Sequence, residues 1–131
     1  EVARRTVAEG RAALGAAAAA FMQRADDAPG SLEIVHAEGY DVPELAAWAR
    51  FPCAAPAEPA ASPMAAAMRD GAPVWVASGA EMAARYPRTA PLVRATGFEG
   101  WLALPLPLRD GDAGAPIAGL GVAFAAAHAL D

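Results

Sequence analysis

The chain contains no lysine; all ten of its basic residues are arginine. With the excess of alanine, this reads as the mark of GC-rich coding rather than of arginine selected for phosphate recognition. The arginines are scattered, and fifteen acidic residues leave a formal net charge of −5. An acidic chain without a basic patch repels nucleic acid and anionic membrane, so neither is expected as a partner. Cysteine is nearly absent. Cys53 is alone, so an internal disulfide and a metal–thiolate cluster are excluded, and a reducing cytoplasm fits. Long apolar runs are missing: the longest, residues 14–22, is far shorter than the ~20 residues of a membrane helix. Aromatic residues make up only 7% of a chain that is 56% apolar. Alanine supplies most of the remainder, which predicts a thin, tightly apposed core in which each large ring matters more than usual.

What is present points to one domain over residues 1–131, a length that encloses one sizeable core. The chain starts at Glu1 without a methionine, and the expectation is that it has been cut from a larger multidomain protein. Ala3, Val7, Gly10 and Leu14 recur at helical spacing. The turn signal DDAPG at 26–30 separates two strand-like runs, 17–24 and 32–37. A short helix is expected over 41–50, with Asp41 as its cap and Pro43 in its first turn. Residues 51–63 are rich in proline and alanine without any period and read as a loop.

Ser62 with Pro63 opens a helix that Gly71 ends. A short strand over 73–76 follows, and Ser78 with Glu81 forms a capping-box pattern that starts the next helix. Pro87 interrupts it, and a further helical piece over 90–96 stops at Gly97. Two apolar runs, 100–108 and 117–125, flank a turn-rich segment at 109–114 and read as a hairpin. Their unbroken apolarity implies a sheet covered on both faces. Pro105 and Pro107 require that strand to bend or to lie at an edge. No glycine-rich turn follows an early strand, which disfavours a nucleotide-binding βαβ fold. The sum is an α+β domain around an antiparallel sheet.

Three short motifs carry a resemblance to a known family. A helix ending in RDGAPVW (residues 69–75), then RYP (85–87), then ALPL (103–106) before a glycine-bearing strand together resemble a GAF domain. The likeness is to the bacterial signalling modules beside histidine kinases and SpoIIE-type phosphatases, and the segments 14–16 and 32–40 fit that family's first hairpin. The resemblance implies a GAF/PAS-like antiparallel sheet of five or six strands with helices on both faces. It further implies a small-molecule pocket on one face, a covalently linked output domain (kinase, phosphatase or transcription regulator) and a homodimer built through terminal helices. Against that family pattern, the expectation is that the closing helix, where the chain runs through His128 to Asp131, is missing or shortened. No motif of the cyclic-nucleotide-binding members is present, Cys53 lies in no bilin-attachment motif, and one cysteine is too few for a GAF-like methionine sulfoxide reductase. The cofactor is left unknown.

The candidate site residues divide by chemistry. His36, near a strand end, is a candidate haem or ligand contact, although a lone histidine more often is a half-exposed strand residue. Cys53 is a candidate redox sensor, against its common role as a small hydrophobe. Phe51, Met68, Trp75, Tyr86 and Trp101 are candidate walls of an apolar pocket, against an ordinary core role. Asp110 and Asp112 around Gly111 resemble the start of a calcium loop, but the twelfth position falls on Gly121 rather than a glutamate. Ser62 and Ser78 read as helix caps. No nucleophile, base and acid can be grouped, so the chain is not expected to be an enzyme. The functions left open are a sensory domain that binds a small molecule or relays a signal, a ligand-free dimerisation or protein-interaction module, and a haem or redox sensor.

Overall fold

The helical spacing at the start of the chain forms α1, Val2–Leu14, which turns Ala3 and Val7 into the core. In this computed structural model, which describes residues 2–25, 27–52, 60–106 and 117–125, six strands follow around it. They are β1 (Ala18–Ala25), β2 (Ala28–Glu38), β3 (Arg50–Pro52), β4 (Val74–Val76), β5 (Gly100–Pro105) and β6 (Ala118–Phe124). Three helices, α2 (Pro63–Asp70), α3 (Gly79–Arg85) and α4 (Ala90–Thr96), lie between β3 and β5. The sheet order is β3-β2-β1-β6-β5-β4, and every neighbouring pair is antiparallel. The architecture is therefore the expected α+β sheet, with six strands. The turn at 109–114, Cys53 and the terminal segment 128–131 lie outside the described residues.

Strand alternation assigns the two faces. Ala19 and Phe21 of β1, Leu102 of β5, and Leu120, Val122 and Phe124 of β6 pack with Ala3 and Val7 of α1. The intervening residues, among them Ala18, Trp101, Ala103 and Ala123, face the buried side of α2 and α3. Apolar runs without clean alternation are the outcome of covering both faces.

The thin core expected from the alanine excess is visible beneath α2. Pro63 to Met68 are all buried. A Cβ on Gly119 would lie 2.5 Å from the Met64 sulfur and 3.1 Å from the Leu104 carbonyl oxygen, so a larger residue there requires the Met64 side chain to shift. Ser62 caps α2 by accepting from the Ala65 amide at 3.1 Å, and Gly71 ends it at φ 65°. Pro105 resolves by position, and Pro107 lies outside the described residues. The Leu106 amide donates to Ala118, so by alternation the Pro105 nitrogen points away from β6. On that side β4 reaches only as far as the Val74–Ala103 pair, and no ladder bond is lost.

Two expectations are corrected. Residues 43–48 form a 3₁₀ segment whose N-cap is Val42, with no side-chain cap, rather than a helix capped by Asp41. Its first i→i+3 bond runs from the Leu45 amide to the Val42 carbonyl, which puts the cap position at Val42, one residue past Asp41. The start of the expected 51–63 loop is β3, which pairs Phe51 with Leu32. Three residues carry no readable period, and it is the edge of β2 that makes them a strand.

The capping-box pattern at α3 closes with its return bond one residue early, on Ala77 rather than on the N-cap Ser78. The Ser78 hydroxyl accepts from the Glu81 amide at 3.1 Å, and the Glu81 carboxylate accepts from the Ala77 amide at 3.1 Å and from Arg85 at 2.6 Å. The Ala77 bond first, then Arg85, holds the Glu81 carboxyl below its ordinary value. A depressed folded-state pKa adds stability that is present above the ordinary glutamate value and is lost as pH falls through the folded one. Glu81→Gln is therefore expected to lower stability at pH 7 by less than ~1 kcal/mol, since the pair is half-exposed. Urea titrations at pH 7 and pH 3 check this, the difference between variant and parent shrinking at the lower pH.

Candidate ligand-binding pocket

A row of small residues crosses the middle of the sheet. Ala20 of β1 pairs with Gly121 of β6, which pairs in turn with Ala103 of β5. These three positions face the α2 side, where a larger side chain at any of them would fill the space above. Instead a pocket of about 90 Å³ opens over them. Its sides are Met22 and Ile34 from the first hairpin, Leu45 and Trp48 of the 3₁₀ segment, and Phe51 of β3. Its cover is Pro63 and Met64 of α2, Met82 of α3, and Thr89, Leu92, Val93 and Thr96 at α4, with Trp101 beside the floor. Ligand sites are typically of this kind, apolar with few polar groups.

The two threonine hydroxyls of the wall are committed as donors, and Ser62 is engaged as an acceptor. Thr89 donates to the Tyr86 carbonyl at 2.7 Å, Thr96 donates to the Leu92 carbonyl at 2.9 Å, and Ser62 serves as the α2 cap. Tyr40 differs: among the described residues its hydroxyl has no hydrogen-bond partner. Its ring stands edge-on to Phe98 at 5.8 Å. The side chain is partly buried, and desolvation pushes its pKa up to about 12. Among the described residues no charged side chain lines the pocket. Arg88 sits outside, its guanidinium 5.6 Å from the Trp48 ring centre.

Of the residues singled out from sequence, the structure brings Phe51 and Trp101 together in the wall. Met68 is fully buried in the cluster behind Met64, and Tyr86 is buried under α3 with its hydroxyl accepting from Arg85 at 3.3 Å; neither lines the pocket. Trp75 pairs with Leu102 and packs edge-on to Phe124 on the α1 face, on the far side of the sheet. His36 is on that far face too, opposite Phe21, with its Nε2 2.9 Å from the Glu38 carboxylate. Among the described residues no group of three or more His, Cys, Asp or Glu is placed to hold a metal ion.

The sequence reading did not include Ala20, Met22, Ile34, Tyr40, Trp48, Met64, Met82, Leu92 or Gly121. One signal for them was available: the alternation of Gly119, Gly121 and Ala123 in β6, which marks a face with no side chains of its own.

The fold is that of a GAF domain. The sequence matches no protein-family model and no curated protein. Solved structures nevertheless share its architecture. A GAF domain from a phosphoenolpyruvate-protein phosphotransferase of Coxiella burnetii aligns with 96% of this chain and 67% of its own, with a TM-score of 0.69 at 16% identity. NreA of Staphylococcus aureus, mutated in its nitrate-binding site, aligns with 98% of this chain and 93% of its own, with a TM-score of 0.68 at 14% identity. A domain assigned to a two-component sensor histidine kinase protein of Sinorhizobium meliloti aligns over 99% and 75%, with a TM-score of 0.67 at 18% identity. At these identities the likeness is one of fold. Among the described residues no helix is long and apolar enough to cross a membrane.

Proposed function

We propose that this chain is a sensory domain of a bacterial signal-transduction protein, binding a small molecule in the pocket and relaying its presence to an attached output domain. The observation that carries this reading is the pocket over Ala20, Gly121 and Ala103 within a GAF fold. Among the described residues its wall offers no His, Cys, Asp or Glu for a reaction, and this supports a binding role. The route outward is short. Ala20 and Met22 line the pocket, while Ala19 and Phe21 of the same strand pack in the α1 cluster. A ligand that prefers one packing of β1 and β6 biases how α1 sits, and differential affinity for two packings is what such a relay requires. In this reading α1 carries the contact to a second copy in a cytoplasmic homodimer. NreA has a nitrate-binding site, whereas among the described residues the wall here presents no cationic side chain to an anion.

A metabolite screen by thermal shift tests the reading, run on the parent chain and on Ala103→Leu, whose added bulk fills the floor. A true ligand at a hundredfold its Kd is expected to stabilise the parent by about 2.7 kcal/mol and to leave the filled variant unmoved. A screen without any hit, alongside a concentration-dependent dimer in sedimentation, would instead favour a ligand-free dimerisation module.

A further inference from the structure

Building on the sensory reading above, we propose that Met64, Leu120 and Gly10 form one mechanical link, through which the occupant of the pocket controls how α1 seats on the sheet. The link starts in the cover. Met64 of α2 lines the pocket and also rests on β6, where two glycines lie beneath it. A Cβ built on Gly119 would stand 2.5 Å from the Met64 sulfur and 3.1 Å from its methyl carbon. One built on Gly121 would stand 3.5 Å from that same methyl. The thioether therefore presses on strand backbone, with no side chain beneath it to absorb a displacement.

The link continues through the strand. Side chains alternate across a strand, so Leu120, between the two glycines, points to the opposite face. There it is buried in one cluster with Ala3 and Val7 of α1. It also meets a third glycine. A Cβ on Gly10 of α1 would lie 2.8 Å from the Leu120 Cδ2. Leu120 thus spans from the backbone under Met64 to the backbone of α1.

The two ends of this path are held unequally. β6 is paired on both sides, with Leu120 between Phe21 of β1 and Leu104 of β5. By contrast, α1 has thirteen residues and buries only Ala3 and Val7. An element with few buried contacts opens before the centre of a sheet does. Close-packed interiors transmit strain rather than absorb it. A ligand that displaces Met64 toward the sheet drives Leu120 against Gly10 and lifts α1, and one that draws Met64 away lets α1 settle. Two seatings of α1 are the discrete states that such coupling requires. Coupling is reciprocal, so a change at Gly10 is felt at Met64.

That reciprocity allows a test without any ligand. The full chain, with its four methionines labelled at the ε-¹³C methyl, is compared by NMR with Gly10→Ala. Alanine suits a helix better than glycine, so what the variant disturbs is the contact with Leu120. The Met64 methyl resonance is expected to move further than that of Met82, which lines the pocket from α3. In a Leu120→Val background, which lacks the Cδ2 that meets Gly10, Gly10→Ala is expected to leave Met64 unmoved. A urea double-mutant cycle supplies the energetic measure. Gly10→Ala with Met64→Leu is expected to depart from additivity by more than about twofold in the unfolding constant, as residues joined through packed contacts do. Gly10→Ala with Leu45→Ala, in the 3₁₀ segment that packs against β3 and α4, is expected to be additive.

A Met64 methyl that moves no further than Met82 in Gly10→Ala overturns the link, as does an additive cycle with Met64→Leu. A Met64 displacement that persists in full with Leu120→Val overturns the part assigned to Leu120. None of these outcomes bears on whether a ligand binds, which the Ala103→Leu screen judges separately.

Discussion

Gly39→Ala is expected to be among the most damaging single substitutions in this domain, costing about 3 kcal/mol or more. Gly39 follows β2 at φ 85°, in the left-handed region where an L side chain is strained by roughly 1–2 kcal/mol. Space is the second obstacle. A Cβ there would overlap the Ala17 carbonyl oxygen and come within 2.8 Å of the Ala18 Cα. Both are backbone at the start of β1, the strand beside β6 in the middle of the sheet, so neither can swing aside. Forced overpacking adds typically 1–3 kcal/mol. Gly71→Ala provides the comparison, since Gly71 has a similar φ of 65° but nothing within 4 Å of the added carbon. It is expected to cost only the strain, roughly 1–2 kcal/mol. Urea unfolding of both variants measures the difference, and equal midpoints would show that the close approach at Ala17 does not constrain the fold.

Trp101→Ala is the other large effect, expected at about 3–5 kcal/mol, the usual range for deleting a buried ring. Trp101 pairs with Val76 on one side and Ala123 on the other, and its buried ring packs in a cluster with Ala18, Met82 and Tyr86. In a core short of large side chains, few neighbours can collapse into the gap. The same ring walls the pocket, so its loss enlarges a space of about 90 Å³. Benzene is expected to raise the melting temperature of Trp101→Ala and leave that of the parent unchanged. Trp75→Ala separates the two roles. Trp75 is half-buried on the α1 face against Phe124, so its removal is expected to cost less and to leave the pocket unenlarged, with no benzene stabilisation. A cost below about 1.5 kcal/mol for Trp101→Ala would show that the ring is not a core element.

The two tryptophans show where sequence reading stops. Both sit in short apolar strands, and nothing local tells which face each ring takes. The ladder decides it: Trp75 lies opposite Leu102 and Trp101 lies opposite Val76. His36 is a sharper case. Between Phe21 and Met22 the partner on β2 jumps from His36 to Ile34, which leaves Val35 as a bulge. That one extra residue determines which of the alternating side chains share a face with the pocket.

What the sequence by itself determined is the punctuation: Ser62 and Pro63 before α2, Gly71 after it, Ser78 with Glu81 at α3, and Gly97 closing α4. Those signals are local, made by groups within a few residues of one another, so they survive without any knowledge of the rest of the chain. The GAF-like architecture was legible for a related reason, since RDGAPVW encodes a helix stop and a strand start in seven consecutive residues. Only the tertiary structure decided that Ala20, Gly121 and Ala103 stand side by side, because they belong to three strands joined by register rather than by sequence. The pocket exists where those strands carry no bulk, and a void of that kind is a property of neighbours in space.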